Sequence, residues 1–228
     1  MTNQRMLRLA DVVGRICLSL YFSYLLIPRV GYIRSVWQHE TDEIIRLVMV
    51  AAEASTVLFL SLFCAAVITR LPPMRTADRI EPYLTAMAGT FIMGLLVYLP
   101  PVQVSFGLRV TALILTTTGL LLSAWVVLWL GRSVSIVPEA RRLVTGGPYA
   151  IVRHPLYLTE ELFMIGAVLM NLSVPAVLIG IIHWGIQLRR MSNEEEILRA
   201  AFPDYEHYAL RVPKVIPSLS MLRRIAAT

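Results

Sequence analysis

Residues 110–130 read VTALILTTTGLLLSAWVVLWL, an uninterrupted run without one ionisable side chain. A helix rises about 1.5 Å per residue, so this run is long enough to cross the roughly 30 Å of hydrocarbon in a bilayer. Toward the N-terminus three further runs meet the same test, approximately 9–27, 44–69 and 82–100. Toward the C-terminus two shorter runs, 156–170 and 174–188, are separated by Asn171-Leu172-Ser173 and Pro175, a stop-and-restart signal for a tight helical hairpin. The expected architecture is all-α: a polytopic transmembrane helical bundle of about six spans that ends in a C-terminal helical hairpin.

Composition points the same way. The 228 residues are 57% apolar and 16% charged, with a mean hydropathy of +0.66, too much apolar surface for a water-soluble core of this size. The formal charge of +6 comes from 20 Arg and one Lys against 15 acidic residues, but the basic residues are spread between apolar runs. That spread is a membrane-topology pattern and not a nucleic-acid surface. With an inside N-terminus and six crossings, only Arg29, Arg34, Arg46 and Arg109 fall outside, so 17 of the 21 basic residues lie on the cytoplasmic side and both termini are expected there. Cys17 and Cys64 both sit in apolar runs, without the spacing of a metal site or a disulfide framework. The first apolar run lacks a small-residue cleavage site and is expected to be retained as a span. The short chain reads as prokaryotic, placing it in the cytoplasmic (inner) membrane.

Polar chemistry concentrates in the C-terminal third. The connector 131–155, GRSVSIVPEARRLVTGGPYAIVRHP, packs glycines, prolines, a tyrosine, a histidine and four arginines between two spans. Gly146-Gly147-Pro148 forces a turn with open backbone, and Pro155 suits the first position of the fifth helix. His154 then stands at that helix's N-cap, where unpaired N–H groups and the helix dipole favour an anion such as a carboxylate. A second cluster, RRMSNEEEILRAAFPDYEHYALRVPKVIP at 189–217, begins where the hairpin returns. Because the hairpin arms are antiparallel neighbours, its ends bring His154 and Tyr157 near Arg190 and Glu194.

These two strips resemble the membrane-embedded isoprenylcysteine carboxyl methyltransferase and phospholipid methyltransferase superfamily over roughly 137–217. The matching residues are Leu143-Val144-Thr145, Gly147-Pro148-Tyr149, Arg153-His154-Pro155-Leu156-Tyr157, then Glu194-Glu195, Leu198 and Phe202. Thr159, Pro203 and Arg141 depart from the family's usual residues. The resemblance implies S-adenosyl-L-methionine as methyl donor, held by Leu143, Val144, Tyr149, His154, Pro155, Leu156, Tyr157 and Glu194, with Arg190 facing the acceptor. That donor carries a sulfonium, an ammonium and a carboxylate, and a tyrosine, carboxylate and imidazole set is complementary to it. The expected partners are the bilayer and a lipophilic small molecule or prenylated acceptor. On this reading 1–131 is a four-span scaffold, 132–217 the methyltransferase core and 218–228 a tail.

Other residues carry weaker expectations. Glu160 and Glu161 lie inside an apolar span about two turns beyond His154, where an ionisable group is costly enough to suggest a role toward a cationic acceptor or a pocket arginine. Glu53 and His183 read as buried hydrogen-bonding groups, Tyr205 and Tyr208 as an interfacial aromatic belt, and Arg211 with Pro213 as a cover over the donor. Ser192-Asn193-Glu194-Glu195 matches a capping box, assigning Glu195 to a helix start. Arg153 is either a positive-side anchor or a partner of one glutamate. Two rival functions are an NADPH-dependent reductase of sterol-reductase type, for which the Arg141-Arg142 pair is the suggestive feature, and a non-catalytic membrane binding or transport subunit.

Overall fold

The computed structural model describes residues 2–217, with side chains from Asp11 onward. The tail 218–228 with Arg223 and Arg224, and the side chains of Arg5 and Arg8, lie outside the described residues. The chain is a helical bundle: α1 Thr2–His39, α2 Glu43–Thr69, α3 Glu81–Phe91, α4 Phe106–Leu130, α5 Pro155–Met170, α6 Val174–Ala201 and the short α7 Tyr205–Arg211. Among the described residues three segments are long and apolar enough to cross a membrane, Asp11–His39, Glu43–Thr69 and Phe106–Ser133.

α1 outruns the expected first span by twelve residues at its C-terminal end, continuing through Pro28 to His39. The charge at Arg29 does not end the helix because its guanidinium reaches Glu53 on α2, with N–O distances of 3.0 and 3.2 Å. Glu53 is thus ion-paired between two helices, and not a lone buried acceptor. The third expected span is not one α-helix. α3 stops at Phe91 and continues as a 3-10 segment, Ile92–Tyr98. At rises of about 1.5 and 2.0 Å per residue the two pieces together reach roughly 30 Å, so tighter winding lengthens a run that is short for a crossing.

α4 and α5 form the tightest pair, and glycines make it so. A Cβ on Gly119 would lie 2.5 Å from Phe163 N, and one on Gly166 2.6 Å from Ala112 O, so the two backbones meet where side chains would collide. Ser123 donates to Thr159 Oγ1 across the same seam at 2.8 Å, which gives Thr159 a structural partner. α5 and α6 form the expected hairpin, with Ser173 capping α6 through the Ala176 N–H. α6 does not stop at Leu188. It runs on to Ala201, carrying the polar residues 189–201 beyond the apolar stretch as one rigid rod.

At one end of the bundle a two-residue antiparallel pair, β1 Arg75–Thr76 with β2 Glu139–Ala140, ties the α2–α3 connection to the connector after α4. Beneath it lies a buried ion cluster. Asp11 receives Arg70 and Arg141, each at 2.8 Å, and Arg15 at 2.7 Å, while Arg141 also binds Glu139 and the Leu71 carbonyl. The Arg141 side chain is fully buried among these partners.

Candidate functional site

The site is built on the turn that precedes α5. Gly147 has φ +59°, and a Cβ there would fall 2.4 Å from the Trp129 ring, so both the turn and its packing require glycine. Tyr149 follows, with its carbonyl accepting the Tyr208 hydroxyl at 2.7 Å. Burial, and then the charge of Glu194, hold the Tyr149 phenol well above its usual pKa, so it is a neutral hydroxyl donor. His154 is the N-cap of α5, as its position before Pro155 implies, but the backbone there is not open. Arg153 N donates to Pro213 O at 2.9 Å and His154 N to Lys214 O at 3.2 Å, so the segment after α7 pins the turn from above.

Glu195 is the partner of this turn. Its Oε1 lies 3.0 Å from His154 Nε2 and 3.3 Å from Arg153, and its Oε2 3.3 Å from Arg199. Burial works against the carboxylate, but the His154 hydrogen bond and the charges of His154, Arg153 and Lys214 outweigh it and leave its pKa below the ordinary value. The capping-box expectation for Glu195 is therefore wrong: α6 is continuous there, Ser192 bonds the Leu188 carbonyl four residues back, and no helix start exists to cap. Arg153 resolves to the glutamate-pairing alternative.

Two adjoining cavities open from this framework. The smaller, about 40 Å³, is lined by Leu143, Val144, Arg142, Arg153, Leu198, Tyr205 and Tyr208. The larger, about 160 Å³, is lined by His154, Leu156, Tyr157, Glu160, His183, Gln187 and Arg190, and it is walled by Phe22, Phe59, Phe63 and Phe163. They share Tyr149 and Glu194, with Leu130, Ser133 and Glu139. Glu194 keeps over a third of its side chain exposed at this junction, 3.9 Å from His154 Nδ1.

Tyr205 and Tyr208 do not form an interfacial belt. They are buried edge to face against Leu143, Leu198 and Phe202, in a small core that forms the far wall of the smaller cavity. Burial pushes both phenols above their usual pKa. The Tyr205 hydroxyl is buried and has no hydrogen-bond partner among the described residues. An orphaned donor beside a cavity is costly unless a ligand satisfies it. Arg211 is exposed and bonds the His207 carbonyl, so the covering element is the 213–214 backbone rather than the arginine.

Arg190 is buried, with Nη1 on Gln187 Oε1 at 2.7 Å and Nη2 on Ile136 O at 3.1 Å, and its guanidinium lies 5.3 Å above the Tyr157 ring. No carboxylate lies within 4 Å of it among the described residues. The paired glutamates separate in role. Glu160 lines the larger cavity, whereas Glu161 turns to His183, 2.8 Å from Nδ1 but out of line for a hydrogen bond. Pro155 begins α5 and lines neither cavity, its contribution being the helix start.

Sequence reasoning placed all chemistry after Arg132, and the structure corrects that. Phe22 of α1, Phe59 and Phe63 of α2, and Gly89 and Thr90 of α3 all line the larger cavity, so helices read as scaffold supply its wall. Gln187, which fixes Arg190, carried no motif signal at all. Among the described residues no group of three or more His, Cys, Asp and Glu side chains is placed to hold a metal ion.

The phospholipid methyltransferase family model matches residues 108–205. The cobalt-zinc-cadmium resistance protein CzcN of Cupriavidus metallidurans is 34% identical over 82 residues, covering 36% of this chain and 38% of that protein. The protein-S-isoprenylcysteine O-methyltransferase of Schizosaccharomyces pombe is 35% identical over 94 residues, covering 38% of this chain and 40% of that enzyme. The matches thus span about two-fifths of each of these relatives. The solved structure of the eukaryotic intramembrane Ras methyltransferase ICMT is similar at TM-score 0.54 and 19% identity, covering 95% of this chain and 85% of that one, a likeness of fold.

Proposed function

From the match of residues 108–205 to the phospholipid methyltransferase family model and a fold like that of the intramembrane Ras methyltransferase, we infer an integral membrane methyltransferase that uses S-adenosyl-L-methionine to methylate a lipophilic acceptor. One observation carries the reading: a polar cavity and an aromatic-walled cavity meet at Tyr149 and Glu194. Two substrates of opposite character need two such compartments and one junction.

The smaller cavity suits the donor. The partnerless Tyr205 hydroxyl accepts or donates to its polar groups, Leu143 and Val144 cover its flat apolar face, and Glu194 supplies negative charge where the donor's cations lie. When bound, that donor supplies an electrophilic methyl group and leaves as a neutral thioether. The chain's own residues orient the partners and exclude water. Arg190, held rigid by Gln187, the Ile136 carbonyl and the Tyr157 ring, positions an anionic oxygen of the acceptor in line with the junction. A carboxylate acceptor attacks through an oxygen lone pair and gives up no proton, so Arg190 serves as a clamp and no general base is required. The aromatic wall holds the acceptor's apolar tail, as the isoprenylcysteine acceptor of the fission-yeast relative would require.

The six-crossing arrangement with both termini on the cytoplasmic side of a prokaryotic inner membrane is part of the same proposal. It is supported by β1 and β2 meeting at one end of the bundle, while Glu40 meets Arg109 and Asn171 meets the Leu96 carbonyl near the other. We take 132–217 as the catalytic core and 1–131 as the scaffold that completes the acceptor wall. Calorimetric titration of the purified protein with S-adenosylhomocysteine tests the reading. Binding that Tyr205→Phe and Glu194→Gln weaken is expected, and no binding overturns it. Of the Arg141-Arg142 pair that suggested the sterol-reductase alternative, Arg141 is paired with Asp11 and Glu139, and both arginines line the smaller cavity.

A further inference from the structure

Three arginines line the smaller cavity, and two of them are already committed. Arg141 is buried in the ion cluster, on Asp11 at 2.8 Å and on Glu139. Arg153 has Nη2 on Glu195 at 3.3 Å and Nη1 on the Ala209 carbonyl at 3.4 Å. Arg142 differs from both. It is exposed, and its side chain enters neither a hydrogen bond nor an ion pair among the described residues. Its chain neighbours fix where it stands: Arg141 is anchored in the cluster, and Leu143 packs on the small core of Tyr205 and Tyr208. Arg142 is thus a cation at the rim of the cavity, with its backbone held on both sides.

The other route to an anion is closed. Helix starts attract carboxylates through their unpaired N–H groups, and the start of α5 is the one beside the site. There the Arg153 and His154 N–H groups already donate to the Pro213 and Lys214 carbonyls. Pro155 has no N–H to offer, and Leu156 and Tyr157 line the larger cavity but not the smaller. Within the smaller cavity an anionic group therefore meets one uncommitted donor set, the Arg142 guanidinium. Glu194 is its counterpart in sign, but it stands at the junction and lines both cavities, whereas Arg142 lines the smaller one alone. The two charges mark different ends of a bound molecule.

We propose that Arg142 is the specificity-determining residue that binds the carboxylate of the methyl donor. The proposal rests on the methyltransferase reading and deepens it, by assigning the donor's anionic end to a side chain outside the His154 and Glu194 strips. A guanidinium takes a carboxylate through two parallel N–H···O bonds, so the contact selects a donor with an intact amino-acid end over one that has lost it.

Calorimetric titration of the purified protein compares two ligands that differ in one group. S-adenosylhomocysteine carries the carboxylate; S-adenosyl-3-thiopropylamine keeps the adenosine, thioether and ammonium but lacks it. The wild type is expected to prefer S-adenosylhomocysteine. Arg142→Gln is expected to weaken S-adenosylhomocysteine about tenfold, the scale of a charge-assisted hydrogen bond at a partly solvated site. The same variant is expected to leave the cationic amine unchanged or to bind it more tightly, since a like charge has been removed. Arg142→Lys keeps the charge and is expected to keep most of the preference. Because the side chain is exposed, melting temperatures of all three proteins are expected to agree.

Equal weakening of both ligands by Arg142→Gln overturns the proposal, by placing the arginine on the adenosine or on the fold. Unchanged affinity for S-adenosylhomocysteine overturns it too, and leaves Arg142 as a positive-side anchor. A preference lost in Arg142→Lys as fully as in Arg142→Gln also overturns it, by assigning the effect to the shape of the side chain and not to its charge. In each of these cases the wild type still binds S-adenosylhomocysteine, and the methyltransferase reading stands. A wild type that binds NADPH through Arg142 and does not bind S-adenosylhomocysteine overturns both.

Discussion

Tyr205 is the residue whose removal separates folding from binding. Its buried hydroxyl has no partner among the described residues, so the donor-free protein carries a desolvation cost there. Tyr205→Phe is expected to leave the melting temperature unchanged or raised while weakening S-adenosylhomocysteine binding by about 3- to 10-fold, the value of one hydrogen bond. Calorimetry and thermal melts on the same sample check both halves. Glu195 makes the opposite case. Its folded pKa lies below the ordinary value, so the stability it contributes is full above a pH of about 4.3 and is lost as pH falls through the lower folded pKa. Between pH 5 and 3 the wild type is expected to lose more thermal stability than Glu195→Gln does. The sequence pointed to His154 and Glu194 because their spacing is local and repeats a family pattern. It did not point to Glu195 as the imidazole's partner, because whether a glutamate caps a helix or faces inward depends on where the helix begins, and Ser173 rather than Ser192 begins it.

At the scale of elements, the α4–α5 seam positions the site. Gly119 and Gly166 let two backbones touch, and α5 carries His154, Tyr157 and Glu160 on the far side of that contact. Gly166→Leu is expected to cost about 1–3 kcal/mol or more from overpacking, seen as a lower melting temperature, with loss of methyl transfer as α5 shifts. Gly147→Ala strains a positive φ and drives a methyl into the Trp129 ring, so it is expected to reduce donor affinity more than stability; comparison of titration and melt decides. Most α-helical runs could be read from hydropathy, since apolar length is a local property. The 3-10 winding of Ile92–Tyr98 could not, because hydropathy reports how apolar a run is and not how tightly it is wound. The extension of α1 past Pro28 was hidden for a related reason: Arg29 looks like a terminus until Glu53, on another helix, is placed beside it.

The whole molecule is held together at the β1–β2 end by Asp11, which joins the first helix to the connector that bears the site. Asp11→Asn leaves Arg70 enclosed without a counter-charge and Arg141 with Glu139 alone, and is expected to cost about 3–5 kcal/mol, read as a melting temperature lower by about 10 °C. The topology is testable in the same frame. In a background without Cys17 and Cys64, a cysteine replacing Arg199 is expected to react with an impermeant thiol reagent only from the cytoplasmic face, and one replacing Gln103 only from the other. The backbone bonds from Arg153 and His154 to the Pro213 and Lys214 carbonyls carry a consequence in time. The turn that carries His154 is synthesised about sixty residues before the carbonyls that pin it. During biogenesis α1 to α6 can therefore be complete while this turn is still loose, so maturation of the site awaits residue 214. A nascent chain arrested just short of that point is a membrane protein without a finished pocket.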